Sequence, residues 1–475
     1  MGAASTMVLP GMTALSADKV AGANESIRLA IIGAGAKGRQ HAGVFNGIKG
    51  VDVVTICDAD TKHAAKVASK VTKNGGKVKV CQDMREVFAD DSIDAICTAT
   101  PNHWHALTTI WALQAGKHVY VEKPVTYNLF EGRAVMQAAR KHGKIVQAGF
   151  QNRSDVGLLK FYPYLHEGNL GKIEMLYGQC FRPRASIGAK LDKPLTPPET
   201  VDYNLWLGPA DDVPIMRPRL HYDWHWVWNT GNGDLGNQGQ HELDILMWAR
   251  NDDKAPKRVM TFGERFGWND AGETANMQLT MFDFGDYPCF FEVRDLSMKP
   301  GMRAGPANHG MRVGLHVQCE NGYFRGGRGG GKVYDNDGKV IEQFKGDGGG
   351  KHQQNFIDAI RADDPSMIHA NIDNAVQSSD LAHYGNMALR TGRRASGAEV
   401  KEVVGKDDKA METLALFEKQ LGDWNIDTSK DKYLLSDWMT IDSKKRKFNG
   451  GDNHEAANKF TQRKGRKGFV VGKSV

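Results

Sequence analysis

Three short stretches of this chain combine residue types and spacings that can do chemistry. Gly33-x-Gly35-x-x-Gly38 follows directly on the apolar run Ile27–Ile32. Glycine at these positions permits a tight turn, a close backbone approach to a pyrophosphate and close packing of the following helix. The pyrophosphate would rest on free N–H groups at the positive end of that helix. A second apolar run, Val51–Cys57, ends in Asp58, 25 residues beyond Gly33 (58 − 33). A carboxylate there accepts ribose hydroxyls and repels a 2′-phosphate. The expected dinucleotide cradle is therefore Gly33, Gly35, Ala36, Lys37, Gly38 and Asp58, for NAD in preference to NADP, with Arg39 keeping the phosphorylated form open. The third stretch is Glu122-Lys123-Pro124, after the strand-like Lys117–Val121. A lysine there can reach the carbonyl edge of a nicotinamide and the reacting oxygen of a substrate, where its ammonium stabilises developing negative charge.

These groups need a scaffold, and the pattern around them supplies one. Helical spacing at Thr61–Val71, Met84–Phe88, His105–Ala115 and Glu131–His142 alternates with strand-like runs at Lys77–Cys81, Ile93–Ala99, Lys117–Val121 and Lys144–Ala148. Such alternation predicts an α/β fold, a doubly wound parallel sheet over residues 27–148. Ligands bind beyond the carboxyl ends of its strands, which places Thr100, Pro101, Asn102, His105, Glu122 and Lys123 in the crevice. Beyond Gly149 the texture changes to strands without intervening helices, at Arg258–Glu264, Ala275–Phe284, Cys289–Leu296, Arg312–Gln318 and Tyr323–Arg325. That predicts an α+β domain over 149–404 with a large, mostly antiparallel open sheet. Gly326–Gly331 and Gly346–Gly350 read as loops, and helical patterns return at His352–Arg361 and Asp373–Thr391. Residues 405–475 read as a polar extension with one helical segment, Lys409–Lys419.

Composition narrows the function classes. A length of 475 residues with 25% charged side chains and a net charge of +6 describes an ordinary globular protein, without the basic footprint of a nucleic-acid binder. No apolar run approaches the ~20 residues needed to span a bilayer. The six cysteines lie far apart with no CxxC pair, so buried free thiols are expected rather than disulfides. Residues 1–26 read as a leader: Gly2–Ala17 is small, apolar and uncharged, which favours export to the periplasm over a cytoplasmic location.

Taken together, Gly33-x-Gly35-x-x-Gly38, Thr100-Pro-Asn-His-Trp-His105, Glu122-Lys-Pro124 and Gly231-x-Gly-Asp-Leu-Gly-Asn-Gln-Gly-x-His241-x-x-Asp244 resemble the glucose–fructose oxidoreductase, inositol dehydrogenase and rhizopine-catabolism (Gfo/Idh/MocA) family. The likeness spans about residues 27–395. It implies NAD(P)-dependent redox chemistry on a sugar, polyol or glycoside, and dimers or tetramers built through the large sheet. Lys123 matches the family's active-site lysine and His241 its active-site histidine. His241, Asp244 and Trp248 share one face of a helix expected over Asn237–Ala249. The imidazole suits a base near neutral pH, and Asp244 is expected to bind or orient substrate.

Where the family often has Asp four residues before the histidine, this chain has Asn237. An Asp–His relay is therefore broken or rerouted, with Asp234 the nearest substitute. Arg153, Asn237, Asp244, His225 and Trp226 are the expected substrate contacts, the last two from Trp224-His-Trp226-Val-Trp228, a candidate sugar-stacking wall that reads equally well as buried core. His221, His225 and His241 do not make an expected metal site, because hydride chemistry needs no metal. Two other functions fit the same residues. One is a glycosidase that oxidises its substrate transiently and eliminates, and the other is a non-catalytic sugar or nucleotide sensor. Lys123 argues against the first, and Lys123 with His241 against the second.

Overall fold

The computed structural model describes residues 26–72, 77–405, 407–430 and 432–472; the leader expected over 1–26 lies, Ser26 apart, outside them. Strands β1 (Ile27–Ile32), β2 (Val51–Cys57), β3 (Lys79–Cys81), β4 (Ala95–Thr98), β5 (His118–Val121) and β6 (Val146–Ala148) form a six-stranded sheet in the order β3-β2-β1-β4-β5-β6. Every pairing in it is parallel. Helices α1 (Ala36–Gly47), α2 (Thr61–Val71), α3 (Arg85–Phe88), α4 (His105–Gln114) and α5 (Leu129–His142) connect the strands. The strands are covered on both faces, which is why β1 and β4 read as largely apolar runs, with Arg28 the exposed exception in β1. Local signals set the helix starts: Asp60 caps α2 by accepting from Lys62 N at 3.0 Å, and Asn128 caps α5 by accepting from Glu131 N at 3.0 Å. The strand order reverses between β1 and β4, and a ligand crevice opens at such a point.

The second half begins with α6 (Leu158–His166), β7 (Ile173–Cys180), α7 (Tyr203–Leu207) and α8 (Gly239–Arg250). Strands β8 (Arg258–Glu264), β9 (Met277–Asp283), β10 (Pro288–Arg294), β11 (Val313–Cys319), β12 (Gly322–Gly327), β13 (Gly330–Tyr334) and β14 (Val340–Lys345) follow. Next come α9 (His352–Ala362), α10 (Ile372–Arg390), β15 (Arg393–Ala395), α11 (Gly397–Val404), α12 (Asp408–Asp423), β16 (Tyr433–Leu435), β17 (Met439–Asp442), β18 (Lys447–Gly450) and α13 (His454–Asn458). All these strands belong to one large sheet, in the order β14-β13-β12-β11-β7-β10-β9-β8-β16-β15 with β17 and β18 beside β8. Only the β7–β10 pairing is parallel. One face packs on α6, α8 and α10 through residues such as Phe161, Leu246 and Leu381. Helices α9 and α10 also reach back: Phe356 and Ile357 join the core of the parallel sheet, as do Ala375 and Val376.

Two regions differ from the expectation. Gly326–Gly331 is not a loop but the hairpin of β12 and β13. Glycine serves there as a strand residue because a Cβ at Gly331 would run into the Phe324 ring, which stacks on Phe161 at 3.5 Å. In the polar extension expected over 405–475, the expected helical segment is present as α12, and it is packed on the sheet rather than solvated all round. Ala410, Leu414, Phe417 and Leu421 recur at helical spacing and bury one face of α12 against the outer face of β8, β9 and β10. The polar composition belongs to the opposite face of that helix.

Candidate active site

A cavity of about 500 Å³ sits at the carboxyl ends of the parallel strands and is closed by residues of the second half. Its floor is the glycine turn. Gly33 has φ +87°, and a Cβ on it would stand 2.7 Å from the backbone of Ala99 and Thr100. A Cβ on Gly38 would run into the Gly33 carbonyl, whereas Gly35 faces space with nothing within 4 Å. Helix α1 starts without a side-chain cap and without an acidic residue in its first turn, so its first N–H groups are available to an anion. Asp58 is half-buried; its Oδ2 accepts from Ala34 N at 2.5 Å and its Oδ1 from Asp60 N at 2.8 Å. Burial pushes this carboxyl up, and the two amides hold it down. Lobes for a pyrophosphate and for a ribose diol are thus both present, and the residues fit a dinucleotide. Arg39 is exposed and does not line the cavity, so no cation expected from the sequence awaits a 2′-phosphate.

Thr100, Pro101, Asn102, His105, Glu122 and Lys123 line the same cavity. Glu122 is buried and used internally. His41 Nε2 lies 2.7 Å from its Oε1 and Lys37 Nζ 3.6 Å, and Gln151 Nε2 donates to the same oxygen at 3.0 Å. Against the upward push of burial, Lys37 and His41 hold its carboxyl well below the usual range. Among the described residues, Lys123 has no carboxylate oxygen within 4.0 Å. Its Nζ donates to the backbone oxygen and to Oδ1 of Asn237, both at 2.9 Å. Asn237 Nδ2 donates in turn to Asp234 Oδ1 at 3.0 Å, and Asp234 is paired with Arg184 at 2.7 Å. The ammonium is therefore held by neutral acceptors whose orientation is set by a buried ion pair. Burial lowers the Lys123 pKa, with Glu122 and Asp234 opposing.

His241, in the first turn of α8, is partly exposed to the cavity. Its Nδ1 is buried and has no hydrogen-bond partner among the described residues. Burial, then Lys123, keep its pKa well below the ordinary imidazole value, so it is an unprotonated base at neutral pH. Asp234 connects to Asn237 and, through it, to Lys123; no hydrogen bond runs from either to His241. Beside His241 along the helix, burial pushes the Glu242 carboxyl up to about 8, and Gln238 stands 3.4 Å from it. His225 also lines the cavity; its ring stacks on Trp224 at 3.6 Å, and burial pushes it down to about 3.

Three of the expected substrate contacts do not reach the cavity. Arg153 and Asp244 form a buried ion pair at 2.8 Å, braced by Ser378 Oγ at 3.0 Å and by Trp248 under the guanidinium at 4.8 Å. Asp244 shares a helix face with His241, but three residues of rise, about 4.5 Å, carry it one turn further from the opening. Trp226 is 3% exposed and packs beneath Arg184. Gly38 is likewise behind the cavity, in its packing role.

Other groups join the wall from distant parts of the chain: Arg182, Arg184, Tyr222, Gln238, Arg328 and Phe469. Only Gln238 lay inside a motif of the sequence. His221 forms no group with His225 and His241; it pairs with Asp60 Oδ2 at 3.0 Å. Among the described residues, Asp60, His63 and His221 present possible metal-ligating atoms within 4.8 Å of one another, at the Asp58 end of the cavity.

Comparison with known proteins agrees with this geometry. Residues 27–150 match the model of the Gfo/Idh/MocA oxidoreductase family's NAD-binding Rossmann fold, and residues 185–283 match its C-terminal α/β domain. A 4-carboxy-2-hydroxymuconate-6-semialdehyde dehydrogenase of Sphingobium sp. is 30% identical over 191 residues, 40% of this chain and 58% of that protein. A scyllo-inositol 2-dehydrogenase (NAD(+)) of Bacillus subtilis is 32% identical over 147 residues, 31% of this chain and 42% of that protein. The chain thus spans about half the length of the curated relatives it matches. Among structures, the WlbA dehydrogenase of Bordetella pertussis, in complex with NADH and UDP-GlcNAcA, superposes with a TM-score of 0.55 at 19% identity, covering 75% of this chain and 94% of that one. A levoglucosan dehydrogenase in complex with NADH gives 0.57 at 17% identity, covering 76% and 96%. With both halves of the family's architecture matched and its motifs gathered at one cavity, the chain belongs to the Gfo/Idh/MocA family of oxidoreductases.

Proposed function

We propose that this protein is an NAD-dependent oxidoreductase acting on a hydroxyl of a sugar, polyol or glycoside. The observation that carries the reading is the meeting of Lys123 and His241 in the cavity that holds the glycine turn and Asp58. NAD, when bound, supplies the hydride acceptor. Asp58 receives the ribose diol, and Gly33, Gly35, Ala36 and Lys37 at the head of α1 receive the pyrophosphate. His241, unprotonated at neutral pH, takes the hydroxyl proton as the carbonyl forms. Lys123, fixed by Asn237, faces the oxygen on which negative charge develops. Asn237 acts as a brace for Lys123, oriented by Asp234 and Arg184, and Asn102 and His105 shape the neighbouring wall. Relatives named as inositol dehydrogenases support a polyol or sugar substrate.

Among the described residues, α11 and α12 cover the outer face of β8–β10, which leaves the β11–β14 end of the large sheet as the place for a second copy. Association there would use the face of Tyr323, Arg325 and Tyr334. Export rests on the small, uncharged residues 2–17; no described helix is long and apolar enough to cross a membrane. The test of the catalytic reading is His241→Asn. It should abolish most turnover, and it should remove an acid limb of kcat/KM that lies below the ordinary imidazole range, because burial and Lys123 hold the proton off. An unchanged pH profile with near-normal turnover would exclude His241 as the base.

A further inference from the structure

Charge around the Lys123 end of the cavity is not balanced. Arg184 is matched by Asp234 at 2.7 Å, and Lys37 stands 3.6 Å from Glu122. Arg182 and Arg328 are exposed at the cavity wall and unmatched: among the described residues, neither guanidinium has a carboxylate oxygen within 4.0 Å. Arg182 donates Nη1 to Gln238 Oε1 at 2.6 Å, which ties it to the turn that carries Asn237 and His241. Arg328, from the β12–β13 hairpin, is close enough to His241 to help keep that ring unprotonated.

The acidic side chains on the cavity wall do not neutralise these groups. Asp58 is occupied by backbone amides at the other end, Asp83 is held by Arg85, and Glu122 by His41 and Lys37. Glu242 does not line the cavity: it is buried behind Gln238, and burial pushes its carboxyl up to about 8, which disfavours its charged form. Lys123, Arg182 and Arg328 therefore present positive charge to whatever occupies the space between them. Two planar guanidinium forks suit a carboxylate better than a neutral hydroxyl, because both can donate paired hydrogen bonds to it.

Resting on the oxidoreductase reading for the place of the substrate, we propose that this site takes an anionic sugar, a sugar acid whose carboxylate is received by Arg182 and Arg328 while the reacting hydroxyl lies at Lys123 and His241. The charge that a neutral hexose would leave unpartnered becomes the source of selectivity.

The experiment is calorimetric titration of the NAD-saturated protein with glucuronate, galacturonate and mannuronate, each against its parent hexose, with glucose 6-phosphate as the phosphorylated counterpart. At least one uronate should bind about tenfold or more tightly than its hexose, a preference that weakens with added salt. Arg182→Ala and Arg328→Ala should each erase most of that preference without changing hexose affinity, and lysine at either position should restore part of it. Tighter binding of the phosphate ester than of every uronate would keep the anion site and replace the carboxylate. Equal affinity of acids and hexoses overturns the proposal, as does a loss of NAD affinity in the arginine variants with the sugar preference intact, which would assign the arginines to the cofactor phosphates. Failure of any sugar to reduce NAD would count against the oxidoreductase reading instead, and the binding preference would still be read directly.

Discussion

Replacing Lys123 by alanine separates the chemistry from the fold. Lys123 contributes two hydrogen bonds to Asn237 and no ion pair, so its removal strands no carboxylate. Glu122 keeps His41 and Lys37, and Asn237 keeps Asp234. Each charge-assisted bond is worth roughly 1.5–3 kcal/mol. Its loss is offset because the freed acceptors face a wet cavity and an ammonium no longer has to be desolvated. The net cost to stability should stay within about 1–2 kcal/mol, a small shift in Tm for a chain of this size. The transition state has no such compensation. Losing one preorganised donor to a developing alkoxide costs about 2.7–4 kcal/mol, a hundredfold to a thousandfold in kcat. NAD affinity should remain within a few fold, since the contacts proposed for its pyrophosphate and ribose are at Gly33–Lys37 and Asp58, at the other end of the cavity. Steady-state kinetics by reduced-cofactor absorbance, calorimetry with NAD and thermal unfolding measure the three quantities on one preparation. Turnover within tenfold of wild type would refute the role of Lys123, and a parallel collapse of NAD binding would show that the lysine holds the cofactor.

Other outcomes follow from the same geometry. Asp58→Ala should weaken NAD by an order of magnitude or more, the scale of a lost charge-assisted hydrogen-bond pair; unchanged affinity by calorimetry would leave Asp58 as a strand-end residue. Because burial pushes Glu242 up to about 8, the unfolded chain loses a proton that the fold retains, and stability falls as pH rises from about 4 to about 8. Glu242→Gln should therefore gain Tm over wild type progressively across that window, whereas a pH-independent difference would contradict the shift. Thiol titration in denaturant should count six free sulfhydryls, all of them buried in the fold; Cys57 and Cys81 face each other across β2 and β3, so a disulfide found by mass spectrometry would first be sought there.

The parallel-sheet half was legible because its main local signals agreed with its place: apolar runs for covered strands, helical spacing between them, and glycines where a Cβ would collide. Lys123 and His241 were legible as motif positions, and the cavity brings both to one wall. Asp244 was not, because helical spacing tells which residues share a face and not how deep along the helix the opening ends, and Arg153 is drawn away from the cavity with it as its ion-pair partner. Arg182, Arg184, Arg328 and Phe469 were invisible for a different reason. They come from loops, a hairpin and the C-terminal segment, far apart in sequence, and only the closure of the cavity by the second half of the chain makes them neighbours. The C-terminal segment misled through composition: α12 is polar on average, but its buried stripe of Ala410, Leu414, Phe417 and Leu421 is the part that decides its position.

The central claim, net hydride transfer at the cavity of Lys123 and His241, is tested most directly by mixing the NAD-loaded protein with sugar acids, hexoses and their glycosides, and measuring reduced nicotinamide and the sugar product in the same sample. One reduced cofactor for each keto or lactone product, with both signals lost in Lys123→Ala and His241→Asn, is the predicted result. Release of free sugar from a glycoside with no net reduction of NAD, or sugar binding without either product, would contradict it.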